Sequence, residues 1–130
     1  RNEGFTTENK RRIMIGSFVL SSGFFDAYYM QAQKARTLLI NEFKQLFTGY
    51  DALLMPVAPT PAFKLGENTN DPIKMYLADI MTVPASLAGL PAISVPAGSN
   101  DEGLPIGVQL IGNYQSDSNL LKLAAEVEAA

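Results

Sequence analysis

Arg12 and Asp79 are the charged residues whose positions are hardest to explain by solubility, because each stands in or beside an apolar stretch. In the segment "DPIKMYLADI", a helix beginning at Pro72 would place Met75 and Asp79 on one inner face, four residues apart. Removing an isolated charge from water costs several kcal/mol, so a charge on an apolar face needs an opposite charge or a ligand. The two residues therefore predict either a structural ion pair or a site that recognises a charged ligand.

Spacing alone favours the ion pair, between Arg12 and Asp79 or with a neighbour of either. Glu8 stands one helical turn before Arg12 and offers a partner on the helix surface. Both alternatives stay open on the residues alone.

The sequence offers few candidates for a catalytic nucleophile. It contains no His and no Cys, which excludes from these residues a Ser-His-Asp triad, a thiolate nucleophile, a disulfide and a His or Cys zinc site. A Ser nucleophile would need a Lys, and the Ser-x-x-Lys spacing that puts both on one helical face does not occur. Ser21 and Ser22 are more simply explained by a helix end followed by a turn. Asp101 and Glu102 fall in a polar loop, where acids are simply solvated.

Composition narrows the class of protein. The chain has 130 residues, is 47% hydrophobic and carries a net charge of −3 with a pI near 4.8. The length and apolar content predict one compact domain, and the acidic balance argues against a surface that grips nucleic acid directly. No run of 18 apolar residues and no charged-then-apolar leader occurs, so we expect a cytoplasmic protein without a membrane segment.

The two ends of the sequence point to a larger protein. The chain begins at "RNEGFTTENK" without Met and stops at "LKLAAEVEAA" within a helical pattern. We therefore expect residues 1–130 to be a piece that is incomplete at both ends.

The predicted elements alternate between helices and short apolar strands, which indicates the α/β class. The helices are predicted from cap residues and from apolar spacing near 3.6, and the strands from apolar runs bounded by turn residues. In chain order the prediction is a helix over 8–20 capped by Thr6 or Thr7, a helix from Asp26 to about 47, a strand over 52–55, a helix from Pro72 with Asp71 as N-cap ending near Val83, a hairpin of "AISVP" and "PIGVQLIG", and a helix capped by Asp117.

Several longer segments are more specific than periodicity. They are "KRRIMIGSFVLSSGFFDAYYMQAQKARTL", "YDALLMPVAPTPAF", "DPIKMYLADI" and "VPASLAGLPAISVPAG" followed by "GLPIGVQLIG". Together they resemble the carboxyl-terminal part of the amidase signature family, an α/β fold whose mixed β-sheet is covered by helices. Within that family, "RRIMIGSF", "DAYY" and "MYLAD" resemble the glutamine-hydrolysing subunits of tRNA-dependent amidotransferases.

The resemblance implies a reaction for the full protein. Such a subunit hydrolyses the side-chain amide of glutamine, and the ammonia passes to a partner subunit that amidates mischarged Glu-tRNA(Gln) or Asp-tRNA(Asn). The resemblance further implies that ATP and Mg belong to a partner subunit, that tRNA is held mainly by a partner subunit, and that this chain holds no cofactor or metal. The family's catalytic Ser, second Ser and Lys lie in segments that this chain does not contain, so no catalytic residue is carried over and the chain alone is expected to be inactive.

The resemblance does carry over two substrate-binding residues. It implies that Arg12 holds the α-carboxylate of glutamine and Asp79 its α-ammonium. The residue types suit this task, because a guanidinium offers a fork of donors to a carboxylate and a carboxylate accepts charge-assisted hydrogen bonds from an ammonium. Two alternatives remain, an amidase of uncharged amides and a non-catalytic binding module.

Overall fold

A computed structural model describes residues 4–68 and 71–130 of the chain. The chain divides into two compact units, Arg1–Leu38 and Leu39–Ala130. The boundary between the two units falls inside the helix Gln31–Leu46.

The structure contains helices and strands in alternation, which confirms the α/β class. The helices are α1 (Thr7–Val19), a π-helical segment (Phe25–Met30), α2 (Gln31–Leu46), α3 (Pro72–Ala78), α4 (Val83–Ala88) and α5 (Asp117–Ala129). The strands are β1 (Ala52–Pro56), β2 (Ala92–Ser99) and β3 (Pro105–Gly112). No helix of the described residues is both long enough and apolar enough to span a bilayer.

Helix α1 begins where the cap signal predicts. The hydroxyl oxygen of Thr6 accepts a hydrogen bond from the Asn9 backbone N–H at 3.3 Å, which satisfies one of the donors that a helix start leaves unpaired. The helix is amphipathic only weakly, and in the described unit it leaves Ile13, Met14 and Phe18 exposed.

The prediction that Asp26 caps the second helix is wrong. Asp26 lies inside the π-helical segment, which runs directly into α2. The aromatic rings of Phe18, Phe24 and Tyr28 cluster there, with centroids 4.2 to 6.2 Å apart. A cap contributes only about 1 kcal/mol, an amount that the packing of three aromatic rings can outweigh.

The second unit is built on an antiparallel sheet with strand order β1-β3-β2. The predicted hairpin of β2 and β3 is confirmed, with Ile93 opposite Leu110 and Val95 opposite Val108. Strand β1 pairs with the other edge of β3, and Leu54 lies opposite Leu110. Strand β3 is therefore central and contributes the most buried residues.

The core of the second unit lies between α5 and one face of this sheet. It is formed by Val95 and Leu110 from the sheet and by Leu120 and Ala124 from α5, all at most 4% exposed. Alternation along β3 directs Gln109 and Ile111 to the opposite face, and both are buried as well.

Helix α5 begins one residue earlier than predicted. Ser116 occupies the N-cap position that the sequence assigned to Asp117, and Asp117 lies in the first turn. An acid in the first turn is favourable in its own right, because it interacts with the positive end of the helix dipole.

The predicted helix from Pro72 to about Val83 ends earlier, at Ala78, and a second short helix that was not predicted follows over Val83–Ala88. Its start is confirmed, since the Asp71 carboxylate accepts hydrogen bonds from the backbone N–H groups of Ile73 and Lys74, both at 3.1 Å. The chain then leaves helical geometry after Ala78, and α4 begins at Val83.

Pro84 explains why α4 was missed. The residue before a proline was interpreted as a helix end, but proline also suits the first turn of a new helix, where its missing N–H would be unpaired anyway. Here Pro84 lies in the first turn of α4, and Gly89, with φ 72°, ends that helix in the left-handed conformation.

Candidate functional site

Asp79 lies at the turn between α3 and α4 and not on the inner face of a helix. It is the C-cap residue of α3, one position beyond the last helical residue. Its side chain is exposed in the described chain, and so is that of Met75. The prediction of a buried acid is therefore wrong for this chain, because α3 ends before the helical face could extend to Asp79.

The backbone of this turn is held by Asp79 itself. Its carbonyl oxygen accepts hydrogen bonds from the Thr82 N–H at 3.1 Å, the Thr82 hydroxyl at 3.0 Å and the Val83 N–H at 3.3 Å. No described residue of its own unit donates a hydrogen bond to its carboxylate. The backbone is thus fixed while the carboxylate is open to a ligand.

Gln109 joins the sheet to the same turn. Its side-chain Nε2 donates to the carbonyl oxygen of Met81 at 2.7 Å and to that of Pro56 at 3.2 Å. Both partners are acceptors only, so the amide must present its NH₂ group to them. Gln109 is 2% exposed and is the buried polar side chain of the described residues.

Arg12 lies on α1 and forms the surface ion pair that the spacing allowed. Its Nε donates to the Glu8 carboxylate at 2.9 Å, and Arg11 binds the other oxygen of the same carboxylate at 2.6 Å. The Arg12 side chain is 62% exposed. Exposed ion pairs at this spacing contribute about 0.3–0.5 kcal/mol to stability, so a carboxylate ligand can replace Glu8 as the partner of Arg12 at little cost in free energy.

The two predicted ligand-binding residues belong to different units. Arg12 lies in Arg1–Leu38 and Asp79 in Leu39–Ala130. Each is exposed in its own unit, and each carries the charge that its predicted task requires.

An open cleft of about 830 Å³ lies beside α3 in the second unit. Its wall includes Lys74, Leu77 and Ala78 from α3 and Phe63 and Asn100 from the loops opposite. Asp79 is not among its described lining residues, so the cleft is not assigned to the Asp79 site. Within residues 4–68 and 71–130, no three His, Cys, Asp or Glu side chains are grouped so that they could hold a metal ion.

The other residues singled out in the sequence have structural tasks. The Ser21 hydroxyl donates to the Phe18 carbonyl at 2.7 Å, which places it at a helix end as expected. Elsewhere in the second unit, Gly98 has φ 110° at an irregularity of β2, a backbone conformation that glycine adopts without steric cost. Gln109 was not predicted to have a functional role. Its one signal in the sequence was that it is a polar residue within the apolar strand "PIGVQLIG".

Comparison with known proteins defines the family. A family model described as Amidase matches residues 1–121. The chain belongs to the amidase family.

The similar proteins are more specific than the family. A glutamyl-tRNA(Gln) amidotransferase subunit of Geobacter metallireducens is 57% identical over 130 residues, which is 100% of this chain and 27% of that protein. The crystal structure of the corresponding glutamyl-tRNA(Gln) amidotransferase subunit from Thermotoga maritima matches 95% of this chain and 27% of its own, with 48% identity and a TM-score of 0.74.

A more distant relative shares the fold. Allophanate hydrolase of Kluyveromyces lactis is 29% identical, covers 92% of this chain and 19% of its own, and has a TM-score of 0.73. The chain thus spans about a quarter of the amidotransferase subunits it matches, and the resemblance to the amidase signature fold is confirmed.

Proposed function

We propose that this chain is the amino-acid-recognising part of a glutamine-hydrolysing amidotransferase subunit. The observation that carries the proposal is the 57% identity over all 130 residues to a protein named as a glutamyl-tRNA(Gln) amidotransferase subunit. In the proposed reaction the full-length protein releases ammonia from glutamine, and a partner subunit uses it to amidate Glu-tRNA(Gln) or Asp-tRNA(Asn).

Arg12 and Asp79 have complementary tasks in this proposal. The Arg12 guanidinium binds the α-carboxylate of glutamine, and the Asp79 carboxylate binds the α-ammonium. Glutamine is a zwitterion, so a site with one cation and one anion selects it over an uncharged amide, which would leave both protein charges without partners. The exposed Asp79 carboxylate, without a donor from the described residues of its own unit, supports this assignment.

The remaining chemistry is assigned to other parts of the assembly. The Ser, second Ser and Lys that cleave the amide belong to a segment outside this chain, so residues 1–130 alone are inactive. ATP and Mg act at a partner subunit. The tRNA is held mainly by a partner subunit, and the complex is cytoplasmic. The net charge of −3 supports this division, because an acidic surface repels the tRNA backbone.

The test is Asp79→Ala in the full-length protein within its complex. We expect the glutamine KM to rise about 10- to 100-fold, because a charge-assisted hydrogen bond is lost. Hydrolysis of a small uncharged amide should keep its kcat/KM, since that substrate has no ammonium. Asp101→Ala, which removes an exposed loop acid of the same unit, is the matched control and should behave as the parent does.

An unchanged glutamine KM in Asp79→Ala would contradict the assignment. It would favour an amidase of uncharged amides, in which Arg12 has a structural role that includes its ion pair with Glu8.

A further inference from the structure

Gln109 occupies an unusual place for an amide side chain. It is 2% exposed within a strand whose neighbours Leu110 and Ile111 are also buried. A buried amide without partners is costly, so such a residue persists where its hydrogen bonds hold something in place. The partners of Gln109 therefore indicate its task.

Those partners come from two distant parts of the chain. The Pro56 carbonyl ends β1, which is already fixed to β3 by strand pairing. The Met81 carbonyl belongs to the turn between α3 and α4, 28 residues away in sequence. One NH₂ group thus ties the turn to the rigid centre of the sheet.

The tied position lies two residues after Asp79. Thr82 and Val83 bind the Asp79 carbonyl from within the turn. The Met81 carbonyl, held at 2.7 Å by Gln109, anchors the same turn from outside. These two sets of hydrogen bonds fix the direction in which the Asp79 side chain leaves the backbone before any ligand binds. The entropy cost of ordering this turn on ligand binding is therefore lower.

We infer that Gln109 is a positioning residue for amino-acid recognition, acting through the Met81 carbonyl to fix the turn that presents Asp79. This inference rests on the proposed function, because it assigns a task to Gln109 only if Asp79 binds the substrate ammonium. Gln109 itself is not placed in contact with the substrate.

The test is a double-mutant cycle of Gln109→Met and Asp79→Ala in the full-length protein within its complex. Methionine keeps the length of the side chain and removes both donors, so the turn loses its anchor. We expect Gln109→Met to raise the glutamine KM about tenfold, the effect of one lost hydrogen bond, with kcat at saturating glutamine little changed. In the Asp79→Ala background the same substitution should no longer raise the KM, because the group it positions is absent.

A matched control separates positioning from general destabilisation. Leu110→Ala lies next to Gln109 on the other face of β3, in the core against α5. It should lower the thermal unfolding midpoint more than Gln109→Met does while leaving the glutamine KM near the parent value.

Gln109→Glu provides a second variant if Gln109→Met does not fold. Ionised glutamate would face two carbonyl oxygens without a proton to donate, whereas the protonated acid can restore one hydrogen bond. Burial raises the pKa of such a carboxyl group, so the ratio of variant to parent KM should fall as the pH is lowered.

The outcomes distinguish the two proposals. If Asp79→Ala leaves the glutamine KM unchanged, the proposed function fails. If Asp79→Ala raises it but Gln109→Met does not, or if the two effects multiply independently, the role of Gln109 is overturned while that of Asp79 stands.

Discussion

A free amino acid presents one cationic and one anionic group, and in the proposed function a single residue of this chain binds each of them. Arg12 and Asp79 are both exposed, so neither carries the desolvation penalty of a buried charge before a ligand binds. The recognition energy would come from the ligand completing two charge-assisted contacts. Selectivity then depends on hydrogen-bond geometry as well as on charge.

Arg12→Lys tests that geometry. The charge is kept, but an ammonium cannot reproduce the planar fork of donors, so we expect the glutamine KM of the full-length complex to rise about tenfold. Arg11→Lys is the matched control, because Arg11 is adjacent to Arg12 on α1 and binds the same Glu8 carboxylate. Parent-like kinetics for Arg12→Lys would indicate that Arg12 has a structural role.

The sequence reveals residue types better than residue environments. The charge of Asp79 and its nearness to a helix were evident, while its exposure depends on where α3 ends. The task of Gln109 was not evident, because its partners stand 28 and 53 residues away and no local pattern encodes them.

At the scale of elements, local signals predicted what local interactions decide. The Asp71 cap, the Pro72 start and the β2 and β3 hairpin all depend on a few neighbouring residues, and all are confirmed. The π-helical segment contains or adjoins the clustered rings of Phe18, Phe24 and Tyr28, and the local cap signal of Asp26 carries no information about these contacts. The pairing of β1 with β3 is likewise non-local and could not be predicted from either strand.

Helix α5 offers a test of where its stability arises. Leu120 is 4% exposed and its neighbour Leu121 is 59% exposed, so the two leucines differ in burial and share their helix propensity. In the 130-residue chain, Leu120→Ala should lower the free energy of unfolding by about 2–5 kcal/mol because it leaves a cavity against β2 and β3.

Leu121→Ala is the control for that substitution. An exposed position should change the free energy of unfolding by no more than about 0.5 kcal/mol. Urea unfolding at one fixed protein concentration measures both variants, because the chain is also expected to self-associate. Equal losses would show that α5 does not pack on the sheet through Leu120.

At the scale of the whole chain, the unusual property is the amount of apolar surface left open. Helix α1 alone exposes Ile13 at 55%, Met14 at 72% and Phe18 at 48%. In a chain that spans 27% of its relatives' length, such surface is suited to contact with the rest of the protein.

The isolated 130-residue chain should therefore self-associate. We expect size-exclusion chromatography to give a mass above that of a monomer, and a dye that fluoresces on apolar surfaces to bind. Replacing Met14 and Phe18 by Gln should reduce both signals, whereas Leu65→Gln, at a fully exposed leucine of a loop in the other unit, should not. A parent chain that runs as a monomer and binds no dye would contradict this prediction.

The bonds of Gln109 also have a consequence for the order of folding. Strands β2 and β3 are joined by a short loop and can pair early, whereas β1 must close a long loop to reach β3. The amide can receive the Pro56 and Met81 carbonyls only once β3 has formed and both distant segments have arrived. The turn that carries Asp79 should thus gain its native geometry late, only after the three strands of the sheet have paired.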